Sequence, residues 1–403
     1  MKKILFVSNE AARTGAPAIL LGLMQWLKRH DDVETVCVLM RDGALRGDFE
    51  QIGRTYTWAP KDLNQPQRIH KRLANALYRG DTDPGAWLSG IIDKEAPTTI
   101  YLSTLVLGKY LGGVAKTANR RIITHVHELL PSLRQLSSDQ LVKRQLHLSD
   151  AVISCAECVA STLASTYELP SEKSVIIPEY INIDSAADST AQSISPATLP
   201  ADERAAIAKL QDAIERGIPI FGIGGNPINR KGFDLFPLLV KNCQDLFGDS
   251  PFLAVWIGCN EGSQAHAAME WDLALMGLTD RVALIPSVSL PTFRWIVSQF
   301  RVLTLLSRED PFPLVVLEAS RLGVPTVCFA DSGAIPAMAE QGQCLKVAYL
   351  DIPAFAAAVH QLCQRNDLAR SIADRCRQKV ERDLSLAAVA PRVAAVMFPA
   401  EGS

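Results

Sequence analysis

Short apolar runs rich in β-branched residues alternate along the chain with stretches of helical spacing. In the first half the runs are ILFV at 4–7, TVCVL at 35–39, TTIYL at 98–102, RIITHV at 121–126, AVIS at 151–154 and VII at 175–177. After the first run, Leu20, Leu23, Met24 and Leu27 recur at the spacing of one helix face. Buried strands joined by crossover helices predict a parallel, doubly wound sheet.

The same pattern restarts in the second half. Its runs are IFGIG at 220–224, FLAVWIG at 252–258, VALI at 282–285, VLTLL at 302–306 and TVCFA at 326–330. Between the two halves, Ser185 to Asp202 is small, polar and proline-containing, which is typical of a linker. We predict an α/β protein with two Rossmann-like domains, at 1–184 and 205–385, and a linker at 185–204. The segment 386–403 is predicted to be a helix and tail that pack back on the N-terminal domain.

Length and composition agree with this architecture. A chain of 403 residues is long enough for two hydrophobic cores, so a cleft between the domains is expected. The chain has 41 basic and 43 acidic residues, so its net charge is −2. It therefore has no overall positive field that would favour the binding of nucleic acid. The first apolar run is too short for a signal peptide, and nine scattered cysteines indicate reduced thiols. We therefore expect a cytoplasmic protein.

One candidate anion site lies in SREDPFPLVVLEASRLGVP, after the run VLTLL. Pro313 suits the first position of a helix, because its missing N–H would have been unpaired there. The amides of Leu314 and Val315 would then be free at a helix N-terminus that follows a strand, where phosphate binds favourably. Asp310 would lie before the phosphates, and Glu318 could accept two hydroxyls. The alternative is that Asp310 caps the helix and Glu318 is a solvated surface residue.

A second candidate segment is GIGGNPINRKGFDLF at 222–236. A glycine-rich turn after the run IFGIG leads to Arg230 and Lys231, and Gly232 is predicted to open the next helix. Two cations beside such a turn suit a diphosphate, whereas the alternative is a pair of solvated loop residues. The GxGxxG spacing of a dinucleotide fingerprint is absent.

These two segments resemble the motifs of family 4 (group 1) retaining glycosyltransferases, which have the GT-B fold. That family has two glutamates eight positions apart around a Gly-Phe-Gly-Leu-like turn. Asp310 and Glu318 have the spacing, and Phe312 and Leu314 match the turn. Pro311 and Pro313 replace the glycines, and Glu309 offers a second acid, so either acid could face the sugar.

The resemblance includes the basic run of the second segment and extends to one further loop. The run Arg-Lys-Gly-hydrophobic-Asp at 230–234 is typical of the family, whose basic residues contact the donor diphosphate. The loop at 332–334 is similar too, but Ala337 stands where the family often has an acid. The resemblance therefore implies that Arg230 and Lys231 bind the donor.

Two positions in the first half are also implicated. Gly15 lies between the first strand and its helix. In the family, the corresponding loop faces the donor phosphates. The alternative is that the turn simply requires glycine. In the family, a histidine followed by an acid after the RIITHV strand reaches the donor sugar. His127 with Glu128 matches this pattern, with His125 as the alternate, and either could instead be a core histidine. Neither histidine has a third ligand at metal spacing, so no metal is expected.

A basic cluster is the remaining feature of the first half. It comprises Arg68, His70, Lys71, Arg72 and Arg79. It could receive an anionic acceptor or lipid headgroups, as in membrane-associated family members, but a solvated helix face is the favoured interpretation.

Together the resemblances imply a metal-independent glycosyltransferase that uses a nucleotide-diphosphate sugar and retains the anomeric configuration. The acceptor would be a sugar, a lipid-linked molecule or a protein, with peripheral contact at the inner face of a membrane left open. A sugar-nucleotide epimerase of the same fold and a non-catalytic nucleotide-sugar-binding protein are the alternatives. The nucleotide base, the sugar, the linkage and the oligomeric state are not encoded in any pattern that physical reasoning can interpret.

Overall fold

A computed structural model of the chain describes residues 2–30, 33–58, 83–114, 116–117, 119–183 and 201–399. These residues form two compact units. The first runs to Glu179 and also includes the chain from Leu386 onward, and the second is Tyr180–Ser385. Residues 185–200 of the predicted linker lie outside the described residues, but a helix, Ala201–Ala206, occupies its last positions. The predicted basic cluster at 68–79 also lies outside them.

The first unit contains a sheet of seven parallel strands in the order β3-β2-β1-β4-β5-β6-β7. The strands are β1 Lys2–Ser8, β2 Val33–Leu39, β3 Arg54–Thr57, β4 Thr99–Leu102, β5 Arg121–Val126, β6 Ala151–Ser154 and β7 Ser174–Ile176. Six of these strands correspond to the predicted apolar runs. The seventh, β3, was not predicted, because its four residues RTYT are exposed or only partly buried and form no apolar run.

Helices cover this sheet. They are α1 Gly15–His30, α2 Arg46–Ile52, α3 Pro84–Glu95, α4 Leu130–Leu136, α5 Asp139–Leu148, α6 Glu157–Tyr167 and α15 Leu386–Met397. The predicted apolar face of α1 is buried, as expected for a crossover helix. The last helix, α15, packs on α1 and belongs to this unit. Its anchors include Arg392, whose guanidinium donates to the Ile176 carbonyl at 3.0 Å.

The second unit contains six parallel strands in the order β10-β9-β8-β11-β12-β13. The strands are β8 Ile220–Gly224, β9 Leu253–Ile257, β10 Val282–Ile285, β11 Val302–Leu305, β12 Thr326–Phe329 and β13 Leu345–Val347. Five of them were predicted as apolar runs, and β13, which has three residues, was missed. The strand order reverses between β8 and β11, and ligands of open α/β sheets bind at the carboxyl ends of strands beside such a point.

The second unit also contains α-helices. They are α7 Ala201–Ala206, α8 Ala208–Glu215, α9 Phe236–Phe247, α10 Gln264–Leu275, α11 Leu290–Ser298, α12 Leu314–Arg321, α13 Ile352–Gln364 and α14 Asn366–Asp383. Several begin at a side-chain cap. Ser289, for example, accepts from the Thr292 amide at the start of α11.

The core of each unit lies on both faces of its sheet. All five residues of β8 and of β9 are buried, as they must be when helices cover both faces of a parallel sheet. Among the described residues no helix has the length and apolar character needed to span a bilayer.

Candidate active site

The two candidate segments of the second unit follow neighbouring strands. β8 and β11 pair directly, with Val302 opposite Phe221, so the loops after them meet at the same edge of the sheet. The Arg308 amide donates to the Arg230 carbonyl at 2.9 Å, and the Arg230 guanidinium donates to the Glu309 carbonyl at 2.8 Å. Segments almost 80 residues apart in sequence are thus joined by reciprocal hydrogen bonds.

Gly232 makes this close approach of the two loops possible. Its φ is +72°, and a β-carbon there would lie 2.1 Å from the Leu306 carbonyl oxygen. No other residue would fit without a backbone shift. The prediction that Gly232 opens the following helix was wrong. Two 3₁₀ turns, Asn229–Lys231 and Phe233–Leu235, flank the glycine, and α9 begins only at Phe236.

Three charged side chains of these loops form one cluster. Lys231 Nζ is paired with Asp310 Oδ2, and Arg230 Nη1 lies 3.8 Å from Asp310 Oδ1. The Ser307 hydroxyl donates to Asp310 Oδ2 at 3.3 Å. Asp310 is only 7% exposed, so its charge is compensated here rather than by water.

The cluster lies just before the N-terminus of α12. Pro313 is the N-cap residue, and Leu314 is the first helical residue, one position later than predicted. No side chain caps the helix, and the Val316 amide is hydrogen-bonded to the Pro313 carbonyl at 3.1 Å. The amides of Leu314 and Val315 come earlier in the first turn, where a helix has no acceptors of its own. We call Arg230, Lys231, Asp310 and this helix N-terminus the second-unit site.

Packing fixes the start of α12. Phe312 and Leu314 pack against an apolar cluster that is formed by Ile181, Leu317, Val380 and Leu384. Their side chains, which are partly buried, therefore anchor the turn.

The small-residue loop noted in the sequence packs directly on the acidic loop. The Asp310 amide donates to the Ser332 carbonyl at 2.7 Å, and Asp310 and Gly333 form an isolated parallel bridge. A β-carbon on Gly333 would lie 1.8 Å from the Asp310 carbonyl oxygen. The loop thus holds Asp310 in place through its backbone.

Glu318 is not the solvated surface residue of the alternative interpretation. Its two carboxylate oxygens accept from Arg294 Nε and Nη2, each at 2.9 Å, and both side chains are largely buried. Arg294, in α11, was not singled out in the sequence, because nothing in LPTFRWIVS marks its partner. A bidentate pair still leaves lone pairs on both oxygens of Glu318 for other donors.

Glu309 differs from its neighbour Asp310 in its hydrogen bonding. It is 8% exposed, and its Oε1 has no hydrogen-bond partner among the described residues. Buried carboxylate oxygens are normally paired, so an unpaired one is a site for a hydroxyl or N–H donor.

In the first unit, Gly15 is the first residue of α1, beside the carboxyl end of β1. Its φ is not in the left-handed region, and a β-carbon there would meet no atom within 4 Å. The turn therefore does not require glycine, and the space in front of Gly15 is open.

The two histidines at the end of β5 have different surroundings. His125 is buried, and its Nδ1 is 2.6 Å from the Tyr101 hydroxyl. Burial and the neighbouring His127 lower the pKa of His125 well below its ordinary value, which agrees with a neutral core histidine.

His127 is instead paired with a carboxylate. Its Nδ1 is hydrogen-bonded to Glu179 Oε1, and its side chain is 10% exposed. Burial lowers the pKa of His127, but the charge of Glu179, its hydrogen bond and the charge of Glu128 hold the pKa above its ordinary value. Glu128 accepts from the Thr104 hydroxyl, and burial raises the pKa of its carboxyl.

Glu179 corrects the expectation that the histidines lack a third ligand. One ligand atom from each of His125, His127 and Glu179 lies within 4.8 Å of the others. In this structure His127 and Glu179 are hydrogen-bonded to each other, and His125 is hydrogen-bonded to Tyr101. Glu179 was not predicted, although an acid three residues after β7 was a detectable signal.

Comparison with known proteins adds to this geometry. The family model described as "Glycosyl transferases group 1" matches residues 219–365. The matched segment lies within the second unit and includes the whole second-unit site, and also Arg294 and Glu318. No curated relative matches the chain in sequence.

Solved structures match the chain over nearly its whole length. HepE from Anabaena in complex with UDP-glucose is 16% identical, with a TM-score of 0.75, and the match covers 98% of this chain and 99% of HepE. Sucrose-phosphate synthase from Thermosynechococcus elongatus is 17% identical, with a TM-score of 0.70 and 98% coverage of both chains. A TarM variant from S. aureus, in a complex that contains UDP, is 11% identical, with a TM-score of 0.70 and coverage of 99% of this chain and all of TarM. The predicted GT-B fold class is confirmed.

Proposed function

We propose that this protein is a glycosyltransferase, which transfers a sugar from a nucleotide-diphosphate sugar to an acceptor with retention of anomeric configuration. The observation that carries the proposal is the second-unit site, where Arg230 and Lys231 meet the loop before an uncapped helix N-terminus. Such a site suits a diphosphate, because cations and unpaired amides both stabilise its charge. The UDP-glucose bound to HepE supports a nucleotide sugar as the donor.

We propose roles for the other residues on the same basis. Glu318 accepts the ribose hydroxyls with its remaining lone pairs, while Arg294 holds the carboxylate in place. The backbone of Phe312, Leu314 and Val315 faces the diphosphate, and Gly15 leaves room for a ligand at the edge of the first sheet. Asp310 acts through its pairs with Lys231 and Arg230, and His127 acts on the transferred sugar.

Transfer in this proposal needs no metal, because the cations and the amides of α12 can stabilise the leaving diphosphate. The acceptor is a sugar, a lipid-linked molecule or a protein, and we place the reaction in the cytoplasm, including the inner face of the membrane. Product analysis tests the proposal. A donor panel, chosen by thermal shift and starting with UDP-glucose, is incubated with candidate acceptors, and NMR determines the anomeric configuration of the product. The proposal would be contradicted if the protein epimerised the donor in the absence of an acceptor. It would also be contradicted if the protein bound the donor but neither transferred the sugar nor hydrolysed the donor.

Substituting Glu318 and His127 is expected to separate binding from transfer. Glu318→Ala removes the proposed ribose contact and leaves Arg294 unpaired, so we expect nucleotide affinity to fall by about 10-fold. His127→Ala should leave that affinity within about twofold and lower kcat by about 100-fold, which is typical of the loss of a positioned acid or base. Calorimetry and initial rates measure the two effects. Equal loss of affinity in both variants would contradict the assignment.

The two neighbouring acids are expected to behave differently. Glu309→Gln alters the carboxylate with the unpaired oxygen, so we expect affinity for the nucleotide sugar to fall by about 10-fold while the affinity for the nucleoside diphosphate is unchanged. Asp310→Asn releases Lys231 and should raise diphosphate affinity by about fivefold, since a negative charge near the phosphates is removed. Calorimetry with both ligands distinguishes them. The reverse pattern would assign the sugar contact to Asp310.

A further inference from the structure

Glu179 is a buried acid that directly contacts a proposed active-site residue. It lies three residues beyond β7 and is 3% exposed. Its Oε1 is hydrogen-bonded to His127 Nδ1, and its Oε2 has no hydrogen-bond partner among the described residues. A buried carboxylate without a partner is strongly unfavourable, so the pair with His127 is the main compensation for this charge.

The contacts of His127 fix its ring in one orientation. Nδ1 faces Glu179, and the ring packs against that of His125 at a centroid distance of 4.1 Å. The charged and titratable groups around it are Glu179, Glu128 on its own loop, and His125, behind which lies Tyr101. With Nδ1 engaged, Nε2 is the ring atom that remains for a further partner.

We propose that Glu179 is a positioning residue for His127, holding its Nδ1–H so that Nε2–H is presented as a hydrogen-bond donor to the transferred sugar. The inference rests on the proposed function and assigns a partner to its histidine. A carboxylate on the second ring nitrogen is a common way to fix the orientation of a histidine. The charge of Glu179 also favours the doubly protonated imidazolium, in which Nδ1–H and Nε2–H are both present.

The sign of the expected pH dependence follows from the raised pKa of His127. The imidazolium persists up to that raised pKa, so activity that needs Nε2–H is present below it and is lost as the pH rises through it. Without the charge of Glu179, burial remains and lowers the pKa. The loss of activity should then begin at a lower pH.

The test uses Glu179→Gln in the full chain, with Glu179→Asp as the conservative variant and Glu172→Gln as the matched control. Glu172 is an exposed glutamate just before β7. We expect Glu179→Gln to lower kcat by about 10-fold, to move the alkaline limb of kcat/KM to lower pH and to leave nucleoside diphosphate affinity within about twofold. Glu179→Asp should recover part of kcat, and Glu172→Gln should match the unsubstituted chain.

A measurement independent of activity keeps this inference separate from the proposed function. In protein labelled at histidine, the NMR titration of the His127 ring, assigned by its loss in His127→Ala, should shift to lower pH in Glu179→Gln. An unshifted titration, or kcat equal to that of the control, would overturn the inference while transfer by the unsubstituted chain still supported the function. Loss of activity with a chelator and its recovery with Zn²⁺ would also overturn it, in favour of a metal on the same residues. Absence of transfer by the unsubstituted chain, with the NMR shift present, would reject only the function.

Discussion

Replacing Lys231 with alanine is expected to weaken nucleotide-sugar binding by about 100-fold. A hydrogen bond to a charged group contributes about 1.5 to 3 kcal/mol, and each 1.4 kcal/mol is about tenfold in affinity. The substitution has a second cost, because Asp310 loses its closest cation and is left beside the phosphates with only the more distant Arg230 to compensate its charge. Both effects act in the same direction. Isothermal calorimetry with the nucleotide sugar and with the nucleoside diphosphate measures the loss.

Two variants make this test specific. Lys241→Ala removes a lysine of α9 whose pair with Asp245 is exposed, and it should bind the donor like the unsubstituted chain. The double variant Lys231→Ala with Asp310→Asn removes both charges, so it should recover part of the affinity that Lys231→Ala loses. Similar Kd values for Lys231→Ala and Lys241→Ala would show that the second-unit site does not bind the diphosphate.

Replacing Gly232 with alanine is expected to destabilise the second unit by about 2 to 4 kcal/mol. A left-handed backbone costs an alanine about 1 kcal/mol. Relieving the contact of its β-carbon with the Leu306 carbonyl, 2.1 Å away, requires a backbone shift, which adds about 1 to 3 kcal/mol. The shift would separate the loop of Lys231 from that of Asp310. Donor affinity should therefore fall together with the free energy of unfolding, measured in urea.

Gly217 provides the matched control for this substitution. Its φ is +65°, close to that of Gly232, but a β-carbon there would meet nothing within 4 Å. Gly217→Ala should therefore cost only the conformational term, about 1 kcal/mol, and leave donor affinity unchanged. If the two variants lost equal stability, the close contact of the loops at Gly232 would contribute nothing.

The structure also changes which residues matter within each candidate segment. The sequence predicted that Asp310 and Glu318 belong to one site, but it assigned them no partners. In the structure Asp310 forms ion pairs with Lys231 and Arg230, and Glu318 forms an ion pair with Arg294. The candidate histidine is likewise defined by its partner Glu179, which lies 52 residues further along the chain. Each of these partners is distant in sequence, and no local pattern could show which residues pair.

The sequence by itself determined the alternation of buried strands and helices, and with it the two parallel sheets, while the resemblance of its motifs to a glycosyltransferase family implied the GT-B fold class. It also located the two loops beside β8 and β11, because apolar periodicity and glycine, proline and charge at strand ends are local properties of the chain. Only the tertiary structure decided which charges neutralise one another, which carboxylate oxygen is left unpaired and which histidine is held by an acid. Those outcomes depend on distances of a few ångströms between residues far apart in sequence, and strand order and loop packing set these distances.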